Sequence, residues 1–302
     1  MNRRVFLIIV VMLLCVNNIV SQNILYKTLE ANIDSLKEKF QIINNPNVPI
    51  IYKDEANIYI INKLENILKS PMSIDLKFDS LKYLSVLKAD NSLLKIYTWQ
   101  VIGKDRAKYY GFIQTVNKRN KITLTKLNDE SEYNSKDADK QLFDNDNWYG
   151  ALYYKLITFK IKKSNPYYIL LGINVNDKIT NKKIIETLSF SKKNKPVFGA
   201  DLFKIESVKQ KRIIFEYSDF VTMSLRFDEK LKAIVFDHLS PSDPSLKGKY
   251  MYYGPDFSYD AFIIKKKKWV LFENINPKNP KQFDVKIKRT PEMQLKKTDN
   301  KK

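Results

Sequence analysis

Apolar residues recur every three or four positions over residues 24–43, where Leu25, Leu29, Ile33, Leu36, Phe40 and Ile43 share one side of a helical wheel. Asn44-Asn45-Pro46-Asn47 ends that helix, and Pro49 follows closely. The pattern predicts a second helix from Asp54 to Lys69. Its apolar face carries Ile58, Ile61, Leu64 and Leu68, and Asp54 and Glu55 suit its positive N-terminal end. Ser70-Pro71 stops it. The two helices read as a hairpin.

From about residue 80 the period changes to two. Leu81 to Lys88, Leu93 to Ile102, Lys108 to Val116 and Lys121 to Leu127 read as an antiparallel meander, with turns at Ala89-Asp90-Asn91 and Asn117 to Asn120. Residues 128–147 are a polar break, with a short helix expected around Asp137 to Phe143. Strands resume at Trp148 to Lys160 and Tyr167 to Asn174. Asn181 to Ser189 reads as a short helix capped by Thr180 or Asn181. Further strands are expected at Arg212 to Tyr217, Thr222 to Phe227 and Ala233 to Phe236. A last hairpin joins Ala261–Ile264 to Trp269–Phe272 through a solvated turn at Lys265 to Lys268. No repeat of fixed period stands out. The fold class is α+β: an N-terminal helical pair, then a large, mostly antiparallel sheet assembly. A curled or barrel-like sheet is the first expectation and an incomplete propeller the alternative.

The first residues change the picture. Arg3 and Arg4 precede an unbroken apolar run from Val5 to Val16, and Ile19-Val20-Ser21 follows. That order is a secretory signal with cleavage expected after Ser21. The run is shorter than the roughly 18–20 residues a membrane-spanning helix needs. Arg3-Arg4-Val5-Phe6-Leu7 also matches the core of a twin-arginine signal, but the short basic region and strong hydrophobicity favour the general secretory route. Cys15 follows Leu14 rather than a small residue, which argues against lipidation. The expected segments are 1–21 signal, 22–75 helical, 76–275 β-rich, and a basic tail over 276–302 with partial disorder. The expected location is the periplasm or the medium.

Cys15 is the only cysteine, so after cleavage neither a disulfide nor a thiol nucleophile is available. The net charge is +20, with 46 Lys against 7 Arg. The lysines are spread along the chain, and planar recognition of phosphate or bases favours Arg. Specific nucleic-acid binding is therefore not expected. An envelope protein, an anionic glycan or a lipid surface remain the possible partners.

The chemistry-bearing strings cluster in 148–260. They are Trp148-Tyr149-Gly150-Ala151-Leu152-Tyr153-Tyr154, Tyr168-Ile169-Leu170-Leu171-Gly172, Arg212-Ile213-Ile214-Phe215-Glu216-Tyr217-Ser218, Phe236-Asp237-His238-Leu239-Ser240-Pro241 and Tyr252-Tyr253-Gly254-Pro255-Asp256. Together they resemble a family of uncharacterised exported proteins from Gram-negative bacteria, over about residues 80–275. The resemblance implies one exported, β-rich unit. It carries no activity and brings no functional residue.

His238 is the only histidine, which excludes sites needing two, such as H-E-x-x-H zinc centres. No G-x-S-x-G elbow is present. Asp237, Asp243, Asp256 and Asp260 offer hard oxygen ligands but match no EF-hand spacing. A carboxylate pair for glycoside hydrolysis needs a separation that sequence does not give. No cofactor is expected. Tyr153, Tyr154, Tyr250, Tyr252, Tyr253 and Tyr259, with Trp148 and Tyr149, supply flat faces with polar tips, suited either to a core or to a binding surface. The expected function is non-catalytic binding of a partner or extracellular ligand. The alternative is a carboxylate-based hydrolase using Asp237, His238, Asp256 and Glu216. The candidate ligand site gathers Trp148, Tyr149, Asp237, His238, Tyr253 and Asp256.

Overall fold

A computed structural model describes residues 26–279, apart from 91, 92, 118, 120, 134, 135, 160–165 and 206–209. The expected signal over 1–21 and nearly all of the tail lie outside the described residues. Helix α1 covers 26–34. After a break at Ser35 come α2 (Leu36–Asn44) and α3 (Ile50–Lys69). The second helix starts four residues earlier than the pattern indicated, because Pro49 caps it in an extended conformation and Ile50 is already helical. Its buried face runs through Ala56, Ile60, Leu64, Ile67 and Leu68, whereas Ile58 is exposed.

Three sheets follow, antiparallel except for one two-residue parallel pair at the edge of the third. The first is the expected meander, β1 (Ser85–Lys88), β2 (Leu94–Ile102), β3 (Ala107–Val116) and β4 (Ile122–Asn128), paired in chain order. The second contains β5 (Leu152–Phe159), β6 (Tyr167–Asn174), β7 (Thr180–Phe190) and the short β8 (Pro196–Phe198). After β9 (Phe203–Lys204), it is completed by β10 (Ile213–Ser218), in the order β10-β7-β6-β5. The third has the order β11-β12-β13-β14-β9, built from β11 (Leu225–Asp228), β12 (Ala233–Pro241), β13 (Tyr253–Lys265) and β14 (Lys268–Phe272).

The helix expected over Asn181–Ser189 is instead the interior strand β7. It pairs with β6 on one side and with β10 and β8 on the other. Ile184 to Leu188 are all buried, because both faces of this sheet are covered. A strand covered on both faces loses its alternation, and here the polar Glu186 and Thr187 are buried alongside Ile184, Ile185 and Leu188. The lysine turn is as expected: Lys266 and Lys267 both take positive φ, 48° and 69°, the geometry of a two-residue hairpin loop.

The layers stack face to face. α1–α3 cover one side of the first sheet through Phe40, Ile60, Leu64, Tyr97, Trp99 and Phe112. The Trp99 indole N–H donates to Asn57 Oδ1 at 2.8 Å, tying α3 to β2. The other side of the first sheet, with Ile96, Tyr109 and Ile113, meets Tyr153, Leu170, Ile184 and Leu188 of the second. The opposite face of the second sheet, with Ile169, Leu171, Ile185 and Tyr217, meets Ile234, Phe236, Phe262 and Trp269 of the third. The fold is therefore α+β, without a closed barrel. The strands are divided among three stacked sheets rather than joined in one curled sheet. Each fully buried Leu, Ile or Phe in these layers contributes roughly 1.5–3 kcal/mol.

Candidate functional site: an aromatic-tipped arm rooted at His238

The third sheet narrows at one end. β11 pairs β12 only over Ala233–Phe236, and β14 pairs β13 only over Ala261–Lys265. Beyond those limits β12 and β13 pair with each other alone, Leu239–Pro241 against Tyr253–Pro255. They form a two-stranded arm whose tip, residues 242–252, is mostly exposed.

His238 sits at the root of this arm. The register runs from Asp237↔Tyr259 to Leu239↔Pro255, so His238 alone faces Asp256, Phe257 and Ser258. Such a bulge bends the strand and re-aims its side chains. The Asp256 carboxylate accepts from the Ser258 N–H at 3.0 Å and from its hydroxyl at 2.7 Å, closing a small turn. Between them Phe257 takes φ +70° and is 95% exposed. A left-handed Phe held fully in solvent is a costly conformation, of the kind that collects at functional sites.

His238 Nδ1–H donates to Asp260 Oδ2 at 2.8 Å, and Asp260 Oδ1 accepts from the Asn274 N–H at 3.0 Å. The hydrogen bond to Asp260 holds the imidazole pKa above the ordinary 6.5, against partial burial, with the charges of Asp260, Asp256 and Glu273 adding to the rise. Asp256 is held below the usual carboxylate range, first by the Ser258 hydrogen bonds and to a smaller extent by His238. Asp237 Oδ2 accepts from the Ser224 N–H at 2.7 Å and so pins β11 to β12. Asp243 caps the turn at Ser245. Each of the four aspartates is thus committed to a local contact. Among the described residues no group of three or more His, Cys, Asp or Glu side chains is arranged to hold a metal ion.

The tip rests on the loop after β10. Ser218, Val221, Ser240–Ser242 and Met251–Pro255 line a cleft of about 320 Å³. Gly254 fits against Val221, whose methyl lies 3.5 Å from where a Gly254 Cβ would stand. Tyr253 packs on the core between the second and third sheets, and its hydroxyl accepts from the Gly248 N–H at 2.9 Å. Around the cleft Tyr250, Met251 and Tyr252 are 43–46% exposed, and the neighbouring Phe220 is 93% exposed.

Asp237, His238, Tyr253 and Asp256 all lie on the paired strands β12 and β13, and of these His238 and Asp256 interact electrostatically while Asp237 turns to Ser224 and Tyr253 to the core. The structure does not bring Trp148 and Tyr149 to them, which corrects the shared site expected from sequence. Both are fully buried between the first and second sheets. The Trp148 indole N–H donates to the Tyr153 hydroxyl at 2.9 Å, and Tyr149 stacks on Phe143 at 6.3 Å. Tyr253 lies on the other side of the second sheet. Glu216 is also turned away from His238. Strand alternation places it on the face of Ile214, where it accepts from the Thr180 hydroxyl at 2.9 Å and lies 3.6 Å from Lys182. Sequence reasoning missed Phe220 and Phe257, since a single Phe in a turn, after Asp219 in one case and between Asp256 and Ser258 in the other, carries no periodic signal.

No family model, curated protein or solved structure matches this chain. Among the described residues no helix is long and apolar enough to cross a membrane.

Proposed function

We propose that the protein is an exported, non-catalytic binding protein, and that the tip of the arm is the surface that meets a partner protein. The leader-like order of residues 1–21 supports export. The observation that carries the binding reading is the exposure of Tyr250, Met251 and Tyr252 at the tip of the arm, where Met251 and Tyr252 line the cleft, with exposed Phe220 next to Val221 of its lining and exposed Phe257 at the root of the arm. Exposed apolar side chains on a projecting arm mark an interaction surface. Phe220 and Phe257 lack polar tips, which suits an apolar protein pocket better than a sugar ring. The hydrolase alternative draws only on the His238–Asp260 pair. Asp260 bonds the imidazole and the Asn274 N–H, while Asp237 and Asp256 cap backbone N–H groups.

The test is co-purification from envelope extracts of the host with the wild type and with the double variant Phe220→Ser/Phe257→Ser. A partner retained by the wild type and lost by a variant of unchanged thermal stability is the expected result. Equal retention by both proteins rejects the arm as the contact surface. Export itself is checked by the N-terminus of the mature protein, expected at Gln22. A cytosolic protein that keeps Met1 refutes it.

A further inference from the structure

The helical layer carries apolar surface that its own core does not use. In α2 the exposed residues are Lys37, Glu38 and Gln41, all polar. In α3 they include Ile51, Tyr52, Ile58 and Tyr59, which are 59%, 58%, 58% and 40% exposed. These four share one stripe. Residues seven apart in a helix return to nearly the same direction, so Ile58 stands two turns beyond Ile51 and Tyr59 two turns beyond Tyr52. The opposite face, with Ala56, Ile60 and Leu64, packs in the core with the first sheet. The first half of α3 is therefore apolar on both sides, and its outer side stands in solvent.

Two observations specify what covers it. The first is the repeat of one dipeptide, Ile51-Tyr52 and Ile58-Tyr59, about a midpoint at Glu55. A second copy of the helix laid antiparallel sets each Ile-Tyr pair against the other pair. The stripe thus complements itself, which a two-fold contact between identical chains requires and an unrelated partner does not. The second is area. The four side chains leave roughly 400 Å² of apolar surface in water, about half of the ~800 Å² that each partner buries in an interface of standard size. Half or slightly more is the apolar share that such interfaces carry.

We propose that the outer stripe of α3 docks on the same stripe of a second copy of this chain, the two helices running antiparallel about a two-fold axis at Glu55. Ile51 meets Tyr59 across the axis, and Tyr52 meets Ile58. The two Glu55 carboxylates come near each other there. Lys39, whose ammonium lies 5.9 Å from the centre of the Tyr59 ring, brings a cation to each side of them. The arm leaves the third sheet, the layer farthest from the helices. The dimer therefore presents two arms, and a partner with repeated binding points is held by both. The contact itself does not depend on the arm's role.

Analytical ultracentrifugation of the protein purified from its host tests this over about 1–100 μM. A monomer–dimer equilibrium with a dissociation constant on the order of 10 μM is expected. The variant Ile51→Asn/Ile58→Asn is expected to weaken it about ten-fold or more, with an unchanged melting curve. Register is read by cysteine pairing under mild oxidation. Glu55→Cys, at the axis, is expected to cross-link two copies, whereas Lys69→Cys, about 21 Å further along α3, is not. A protein that stays monomeric throughout overturns the proposal. So does a dimer that Ile51→Asn/Ile58→Asn leaves intact, or one that Phe220→Ser/Phe257→Ser dissolves. Equal cross-linking by the two cysteine variants overturns the antiparallel arrangement. A monomer that binds phosphatidylcholine vesicles, and loses them with Ile51→Asn/Ile58→Asn, gives the stripe a lipid occupant and also overturns the proposal.

Discussion

Two ion pairs of nearly the same length behave as opposites. Arg212 Nε meets Glu186 Oε2 at 2.7 Å with both side chains fully buried. His238 Nδ1 meets Asp260 Oδ2 at 2.8 Å with the imidazole 39% exposed. The first is enclosed within the second sheet. Arg212 also donates to the carbonyls of Gln141 and Ala138 and lies over the Phe143 ring, while Glu186 accepts from the Thr187 N–H at 2.8 Å. It fastens the polar segment 138–141 to β7. The second pair joins β12 to β13 where the arm leaves its sheet, and water reaches it. Distance alone does not distinguish a fixed strut from a group that can titrate. Burial and the number of supporting hydrogen bonds do.

The largest test breaks the buried pair. Arg212→Met leaves Glu186 uncompensated and is expected to cost about 3–5 kcal/mol in chemical denaturation. Arg212→Met/Glu186→Leu removes both charges and is expected to recover most of that loss. A single variant as stable as the wild type would show that the pair does not hold the sheet. Next comes Tyr153→Phe, which strands the Trp148 indole N–H in the core and should cost about 1–3 kcal/mol while leaving partner binding unchanged. Loss of binding with no loss of stability would return Trp148 to the functional surface.

The exposed pair is probed by pH. A raised folded-state pKa stabilises fully below the unfolded value of 6.5, and the contribution is lost as pH rises through the folded value. Stability should therefore decline above that pH in the wild type. His238→Ala should flatten the profile, and a decline of the same size in the variant would locate the titrating group elsewhere. The smallest stability effect is expected at the arm's surface. Phe257→Gly relieves the left-handed strain but adds unfolded-chain entropy, and these opposing terms of about 1 kcal/mol each should nearly cancel. Its effect belongs to partner retention, and normal retention by this variant would remove Phe257 from the contact surface.

The same contrast explains what was legible in the sequence. β6 and the β13–β14 hairpin were readable because apolar runs there are bounded by polar turns. β7 was not, because burial on both faces erased its period and left Asn181 to resemble a helix cap. In α3 the interval pattern found the helix but chose Ile58, which faces solvent, over Ile60, which is buried. For the site, sequence located the His238 and Tyr252–Asp256 strings, and β12–β13 pairing brings them together. It could not separate Trp148 and Tyr149, which are core, from Tyr250 and Tyr252, which are surface. Aromatic residues look alike until the opposing sheet is known.

The layered stack also dictates how the molecule comes apart. Each sheet leans mainly on its immediate neighbours, so loss of order should spread from one layer to the next, as along a short linear array. The helices shield one end. At the other, the outer face of the third sheet carries only a small apolar cluster around Val235, Ala261 and Ile263. Amide deuteration should therefore reach the arm and β11 first and β6 and β7 last. A partner gripping the arm would hold the layer that lets go earliest, and would make the protein slower to unravel without touching its interior.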